Sequence, residues 1–299
     1  MKYKKYLLPA LMLVISLAAI FFFGKAGYSS WKEISGSAMQ FDYSMLILSM
    51  GFGISSFFAL SLGYYFVNRR MNIEIPFWKL AKARAFSDIA SYVPGKIWTL
   101  LARMKYMKQW ASRTNVVVSS YLELVSLILS ALLAFIALSL AYPEIFEKYA
   151  LPAYILLPFC IISMHPKVIS SVINLGLKLF KKEKISFPLS YGSIIFANVI
   201  YSSYWLLTGL AVFFLALSIY PAPWSYFPYI VLSYAVAWTI SFLSVIFPGG
   251  LGIREGILAY ALGIFLPLPV ALIVSVASRG IIILSQLVFA LISWIFARL

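Results

Sequence analysis

The chain has one cysteine, one histidine and nine acidic residues among its 299 positions, and each scarcity excludes something. With Cys160 alone, no intramolecular disulfide can form. His165 is the single histidine and stands beside Pro166, so a His/Cys metal site lacks ligands and a Ser-His-Asp hydrolase has only one candidate base. No G-x-x-x-x-G-K-[ST] string occurs, which leaves no Walker-type phosphate loop. Neither a metal nor another cofactor is expected. Charge is scarce as well: 11% of residues are charged, against about 25% in soluble domains. That excludes a water-exposed fold, because a chain of this length cannot hide so much apolar surface in one aqueous core.

What is present is apolar, at 63% hydrophobic residues and a mean hydropathy of +0.95. Charge-poor runs stand at 6–24, 43–67, 114–142, 150–166, 187–219, 229–247 and 257–297. The segments between them differ in sign. Residues 68–84 carry Arg69, Arg70, Lys79, Lys82 and Arg84 against Glu74, and residues 103–113 carry Arg103, Lys105, Lys108 and Arg113, a net +4 in each. Lys167, Lys178, Lys181, Lys182 and Lys184 against Glu183 give a third such segment. The positive-inside rule puts all three in the cytoplasm and the near-neutral connections at 25–42, 143–150 and 220–228 outside. Lys2, Lys4 and Lys5 precede the first run, which is too long and too poor in cleavage signals for a signal peptide. An uncleaved first helix with both termini cytoplasmic is the expectation. The same rule accounts for the net charge of +15, so no nucleic-acid partner is expected.

Two short strings resemble each other: Ser91-Tyr92-Val93-Pro94-Gly95-Lys96-Ile97-Trp98 and Val245-Ile246-Phe247-Pro248-Gly249-Gly250-Leu251-Gly252, with prolines 154 residues apart. Each interrupts a stretch too short or too polar for a full span, the pattern of re-entrant elements in matching halves of a transporter. The fold class expected is an all-α integral membrane protein. It is a polytopic bundle of about six to eight transmembrane segments with two Pro-Gly re-entrant hairpins as an inverted repeat. The whole of 1–299 forms one domain, with possible halves 1–142 and 150–299. A competing reading makes Pro248 to Glu255 a cytoplasmic turn and breaks 257–297 into two thin spans near Arg279-Gly280. Charge counting fits both.

A helix broken at Pro-Gly leaves unpaired backbone groups, and the N-terminal end of a half-helix attracts phosphate or carboxylate. Charges inside membrane segments cost about 2.5–3.5 kcal/mol each on insertion scales, so those that persist line a polar cavity or pair with one another. Lys96, Glu123, Arg254, Glu255 and Arg279 are such charges. The expected substrate-binding set is Pro94, Gly95, Lys96, Arg103, Glu123, Pro248, Gly249, Gly250, Gly252, Arg254, Glu255 and Arg279. Arg254, Arg279 and Lys96 attract a phosphate group, Glu123 and Glu255 orient them or take a proton, and Arg103 is either a headgroup clamp or a positive-inside anchor. No catalytic residue is assigned.

The string from Phe247 to Gly256, with Tyr92-Val93-Pro94-Gly95-Lys96 and Arg103, resembles the lysylphosphatidylglycerol synthase transmembrane-region family, the flippase-like membrane domain of multiple peptide resistance factors. Lys96 stands where that family often carries glycine. The resemblance implies a helical bundle with re-entrant elements, a plasma-membrane location and movement of charged lipids between leaflets. Bifunctional members add a soluble aminoacyl-transferase domain, and this chain is expected to be a stand-alone member without that activity. The leading function is an ATP-independent lipid flippase handling an anionic or aminoacylated headgroup, of phospholipid or polyprenyl-phosphate type. The alternatives are a membrane transferase acting on a lipid phosphate, with Glu123 or Asp88 as base, and a non-catalytic partner of a separate synthase or glycosyltransferase.

Overall fold

The computed structural model describes residues 42–90, 97–141, 165–179, 190–243 and 252–298, together with 155, 158, 159, 162 and 163. Nine α-helices follow one another among these residues, with no strand: α1 (Tyr43–Arg70), α2 (Phe77–Ile89), α3 (Ile97–Met107), α4 (Arg113–Ala141), α5 (Pro166–Leu179), α6 (Tyr191–Leu217), α7 (Phe227–Leu243), α8 (Ile253–Leu262) and α9 (Leu268–Phe296). The run at 6–24, Cys160 and both Pro-Gly dipeptides lie outside the described residues.

Four of these helices, α1, α4, α6 and α9, are long and apolar enough to cross a membrane. At about 1.5 Å per residue each is about 40 Å long, more than the ~30 Å of a hydrocarbon core. Their polarity is arranged inside out. On α9, Leu284, Leu287, Leu291 and Ile295 are exposed, whereas Ser275, Ser278, Ser285 and Ser293 are buried. Three of these hydroxyls donate back to carbonyls of their own helix, Ser275 to Leu272, Ser278 to Ser275 and Ser293 to Phe289, and Ser285 donates to Met50 Sδ on α1. Small satisfied hydroxyls inside and bulky apolar side chains outside suit lipid as the solvent.

Local chemistry fixes the helix ends. Asp42 caps α1 by accepting from the Ser44 and Met45 amides, and Asn72, at φ 57°, takes the left-handed conformation that ends it. Pro267 stops the chain from continuing α8, so α9 begins at Leu268 and then runs unbroken through Arg279 and Gly280 to Phe296. The thin-span reading of 257–297 therefore fails at its proposed break point: the apolar run divides at Gly263–Pro267 instead. The basic segments are also shorter than charge counting implied, because α2 begins at Phe77 and α3 continues to Met107, which carries Arg84 and Arg103 into helices.

The most extensive packing joins α1 to α6, and it is antiparallel. Asp42 N–H donates to Ser218 O, Ser49 Oγ donates to Ala211 O, and Phe66 lies against Phe196. A Cβ at Gly63 would stand 2.8 Å from the Tyr201 ring, so glycine permits the close approach there. α9 runs parallel to α1, with Gly53 at Ser285 and Phe57 on Phe289. α2 packs on α3, and α7 packs on α8. Exchange α1 for α6, α2 for α7, α3 for α8 and α4 for α9, and the α1–α6 pair maps onto itself while every other strongly packed helix pair among the described residues maps onto another such pair. α4 touches α3 and α7; its counterpart α9 touches α8 and α2. The free ends of the two short pairs point opposite ways. Trp78 at the start of α2 stacks on Phe296 at the end of α9, whereas Tyr226 and Tyr229 at the start of α7 meet Phe265, just before α9 begins.

Candidate functional site

The first helix pair delivers two arginines to an acid on α4. Arg84 of α2 donates from Nε to Glu123 Oε1 at 2.7 Å, and Arg103 of α3 donates from Nη1 to Oε2. Asp88, one turn beyond Arg84, completes a ring: its Oδ2 lies 2.9 Å from Arg84 Nη2 and its Oδ1 2.9 Å from Arg103 Nη2. Side-chain exposure is 4–6% for Arg84, Arg103 and Glu123 but 19% for Asp88, which is the member nearest the outside. Glu123 is the eleventh residue of α4, about 15 Å along it. Arg103 also reaches Ser87 and Ser120, and its guanidinium sits 4.6 Å above the ring of buried Tyr64. The Tyr64 hydroxyl shares a hydrogen bond with Ser119. Two guanidinium and two carboxylate groups are formally neutral together, and each planar arginine fork bridges the two carboxylates.

The second pair is looser. Gly252, at φ 85°, precedes α8, and Glu255 Oε2 accepts its N–H at 2.7 Å. The other oxygen, Oε1, accepts from Arg279 Nη1 on α9 at 3.4 Å. Arg254 lies over the ring of Tyr234 on α7, 4.4 Å from its centre. Arg254, Glu255 and Arg279 carry a formal +1. Among the described residues, Arg84 Nη1, Tyr201 Oη and Tyr234 Oη are buried with no hydrogen-bond partner.

Of the residues expected at the site, the structure brings Arg103 to Glu123, and Gly252, Glu255 and Arg279 together with Arg254 adjacent. Glu123 pairs with Arg84 and Arg103 and not, among the described residues, with Arg254 or Arg279. Pro94, Gly95, Lys96, Pro248, Gly249 and Gly250 lie outside the described residues. Arg84 was missed, counted with the basic loops, and Asp88 was named only as a possible base. Yet Leu80, Arg84 and Ser87 share a buried helical stripe while Lys79 points elsewhere, a periodicity that sets Arg84 apart from its basic neighbours. No three of the described His, Cys, Asp and Glu residues gather as a metal would require. No protein-family model matches the chain, and no curated protein matches it.

Proposed function

We propose that the protein is a lipid translocase that shelters a phosphate-bearing or aminoacylated headgroup while it crosses between leaflets, without ATP. The observation that carries this reading is the buried ring of Arg84, Arg103, Asp88 and Glu123 beside a membrane-length helix. Membrane proteins keep such costly groups where something polar passes. Its unpartnered Arg84 Nη1 is a donor available to a headgroup oxygen.

The two short pairs are the re-entrant hairpins of this proposal. At 13, 11 and 10 residues, α2, α3 and α8 extend about 20 Å or less and fall short of a full span. The exchange symmetry of the packing, with the equivalent helices α1 and α6 antiparallel, supports an inverted repeat whose hairpins approach from opposite leaflets. Alternating exposure of the two clusters would then carry the headgroup while its chains stay in lipid. The resemblance of residues 247–256 to flippase-like membrane domains agrees with this. The charge pattern is consistent with cytoplasmic termini by the positive-inside rule, and the same resemblance implies a plasma-membrane location. A transferase using Glu123 or Asp88 as base is less well supported, since both carboxylates already accept from arginines.

Proteoliposomes with quenchable phosphatidylglycerol, aminoacyl-phosphatidylglycerol and polyprenyl phosphate test the proposal. The wild type should move at least one of them, and Arg254→Ala and Arg279→Ala should each slow it by about tenfold or more, the usual cost of losing a charged hydrogen bond. No movement of any lipid by a folded wild type would overturn it.

A further inference from the structure

A second basic place lies at the open end of the first helix pair, apart from the buried ring. A cavity of about 270 Å³ opens there between Lys79 and Lys82 of α2, Tyr106, Gln109 and Trp110 at the end of α3, and Ala297 just after α9. We propose that this cavity docks the phosphate headgroup of an anionic phospholipid.

The polar groups lining it are donors or can donate: two ammonium groups, an amide, a phenol and an indole. Among the described residues no acid forms an ion pair with Lys79 or Lys82. The two acidic residues between positions 68 and 113 are Glu74 and Asp88. Glu74 faces Arg69 at 3.6 Å, and Asp88 is held inside by Arg84 and Arg103. The volume is slightly below the ~300–1,000 Å³ of drug-sized ligand sites, which fits a compact headgroup.

What makes the ligand a lipid is the surface next door. Trp78 precedes Lys79 in the chain and Phe296 precedes Ala297, and these two rings stack at 4.8 Å. Phe77 continues the aromatic face to Phe58 and Tyr65. Phe58 and Phe296 are 42% and 45% exposed, so acyl chains have a wall to lie on where the headgroup leaves off. A free phosphate would use the cavity and ignore the wall. Trp and Tyr with lysines at the edge of apolar surface also match the membrane interface. As the first station of a transported lipid, the cavity rests on the translocase reading; as an anionic-lipid site it is read by binding alone.

The test uses the full chain in neutral detergent, titrated with dioctanoyl phosphatidylglycerol and dioctanoyl phosphatidylcholine and followed by native mass spectrometry. The wild type should prefer phosphatidylglycerol. K79Q/K82Q should weaken that binding by about tenfold or more, as two headgroup lysines are worth, while K79R/K82R keeps it. K167Q/K178Q removes the same charge elsewhere and should leave affinity within about twofold. Elution volume and melting temperature establish that each variant is folded. Equal weakening by K167Q/K178Q would reveal a diffuse surface field and overturn the site. So would displacement of phosphatidylglycerol by an equal concentration of inorganic phosphate, or unchanged binding in K79Q/K82Q. The same proteins in liposomes separate the two readings: wild-type binding that K79Q/K82Q abolishes, with no wild-type translocation, keeps the docking site and sinks the translocase.

Discussion

The two short helix pairs hold equivalent places in the packing and treat charge in opposite ways. The first supplies arginines to an acid, Glu123, and the second supplies an acid, Glu255, to an arginine, Arg279. Glu123 and Arg279 are the eleventh and twelfth residues of two helices that are each 29 residues long. The first cluster is a closed ring of short contacts and formally neutral; in the second, Glu255 meets Arg279 at 3.4 Å and the formal charge is +1. A closed, charge-balanced ring holds its helices together, whereas a cluster with an excess positive charge attracts an arriving anion.

The largest effect should come from opening the ring. Glu123→Gln leaves two buried arginines short of a counter-charge and should cost about 3–5 kcal/mol, as breaking a buried pair does. Thermal unfolding in detergent measures it. Adding Arg103→Gln to that variant should recover part of the loss, since the excess charge falls. A double variant no more stable than Glu123→Gln alone would show that the ring members do not act as one unit.

A smaller loss is expected from packing. Alanine at Gly209 would bring a Cβ to 2.3 Å from Val231 Cγ2 and 3.0 Å from the Val231 Cα, pushing α6 off α7. Overpacking of this kind costs about 1–3 kcal/mol. At Gly51 a Cβ meets nothing within 4 Å, so Gly51→Ala should be neutral or stabilising by up to about 1 kcal/mol through helix propensity. Equal melting temperatures for the two variants would argue against the close α6–α7 contact.

Arg279→Ala should be milder for stability, about 1.5 kcal/mol, because its contact with Glu255 is 3.4 Å long and Glu255 keeps the Gly252 N–H. Its effect on lipid movement should be disproportionate. That inversion, a large stability loss with Glu123→Gln and a functional loss with Arg279→Ala, sharpens the difference between the clusters. If Arg279→Ala destabilises as much as Glu123→Gln, the clusters do the same job.

Much of the frame was legible. The runs 43–67 and 114–142 correspond to α1 and α4 within a few residues, since a long apolar stretch with polar flanks leaves little choice. The start of α9 is legible too, since Pro267 cannot continue a preceding helix and Pro269 is tolerated in the first turn of a new one. Glu123 stood out as an acid inside an apolar run. Its partner Arg84 did not, because a charge count averages over a segment and cannot say that Arg84 faces inward while Lys79, five positions earlier, faces out. Helical phase within 77–89 carries that distinction. The reach of Arg103 to Glu123 and the pairing of Glu255 with Arg279 depend on tertiary packing alone, between residues 20 and 24 positions apart.

The smallest effect concerns the starts of the two equivalent long helices. Asp42 caps α1 and Ser190 caps α6, each accepting backbone N–H groups of its first turn. Only one of these caps titrates. Hydrogen bonds from the Ser44 hydroxyl and the Met45 amide hold the fully exposed Asp42 carboxyl below its ordinary value of 3.8. A carboxyl depressed in the folded state adds stability above its unfolded value and loses it as pH falls through the lower folded one. Asp42→Ala should therefore lower the melting temperature slightly at pH 7, with the gap to wild type shrinking below about pH 4, near the unfolded carboxyl value. Ser190→Ala should show a loss that stays constant over the same range, since a hydroxyl has no charge to lose. A pH-independent gap for Asp42→Ala would mean that its cap works through the geometry of the turn and not through its charge.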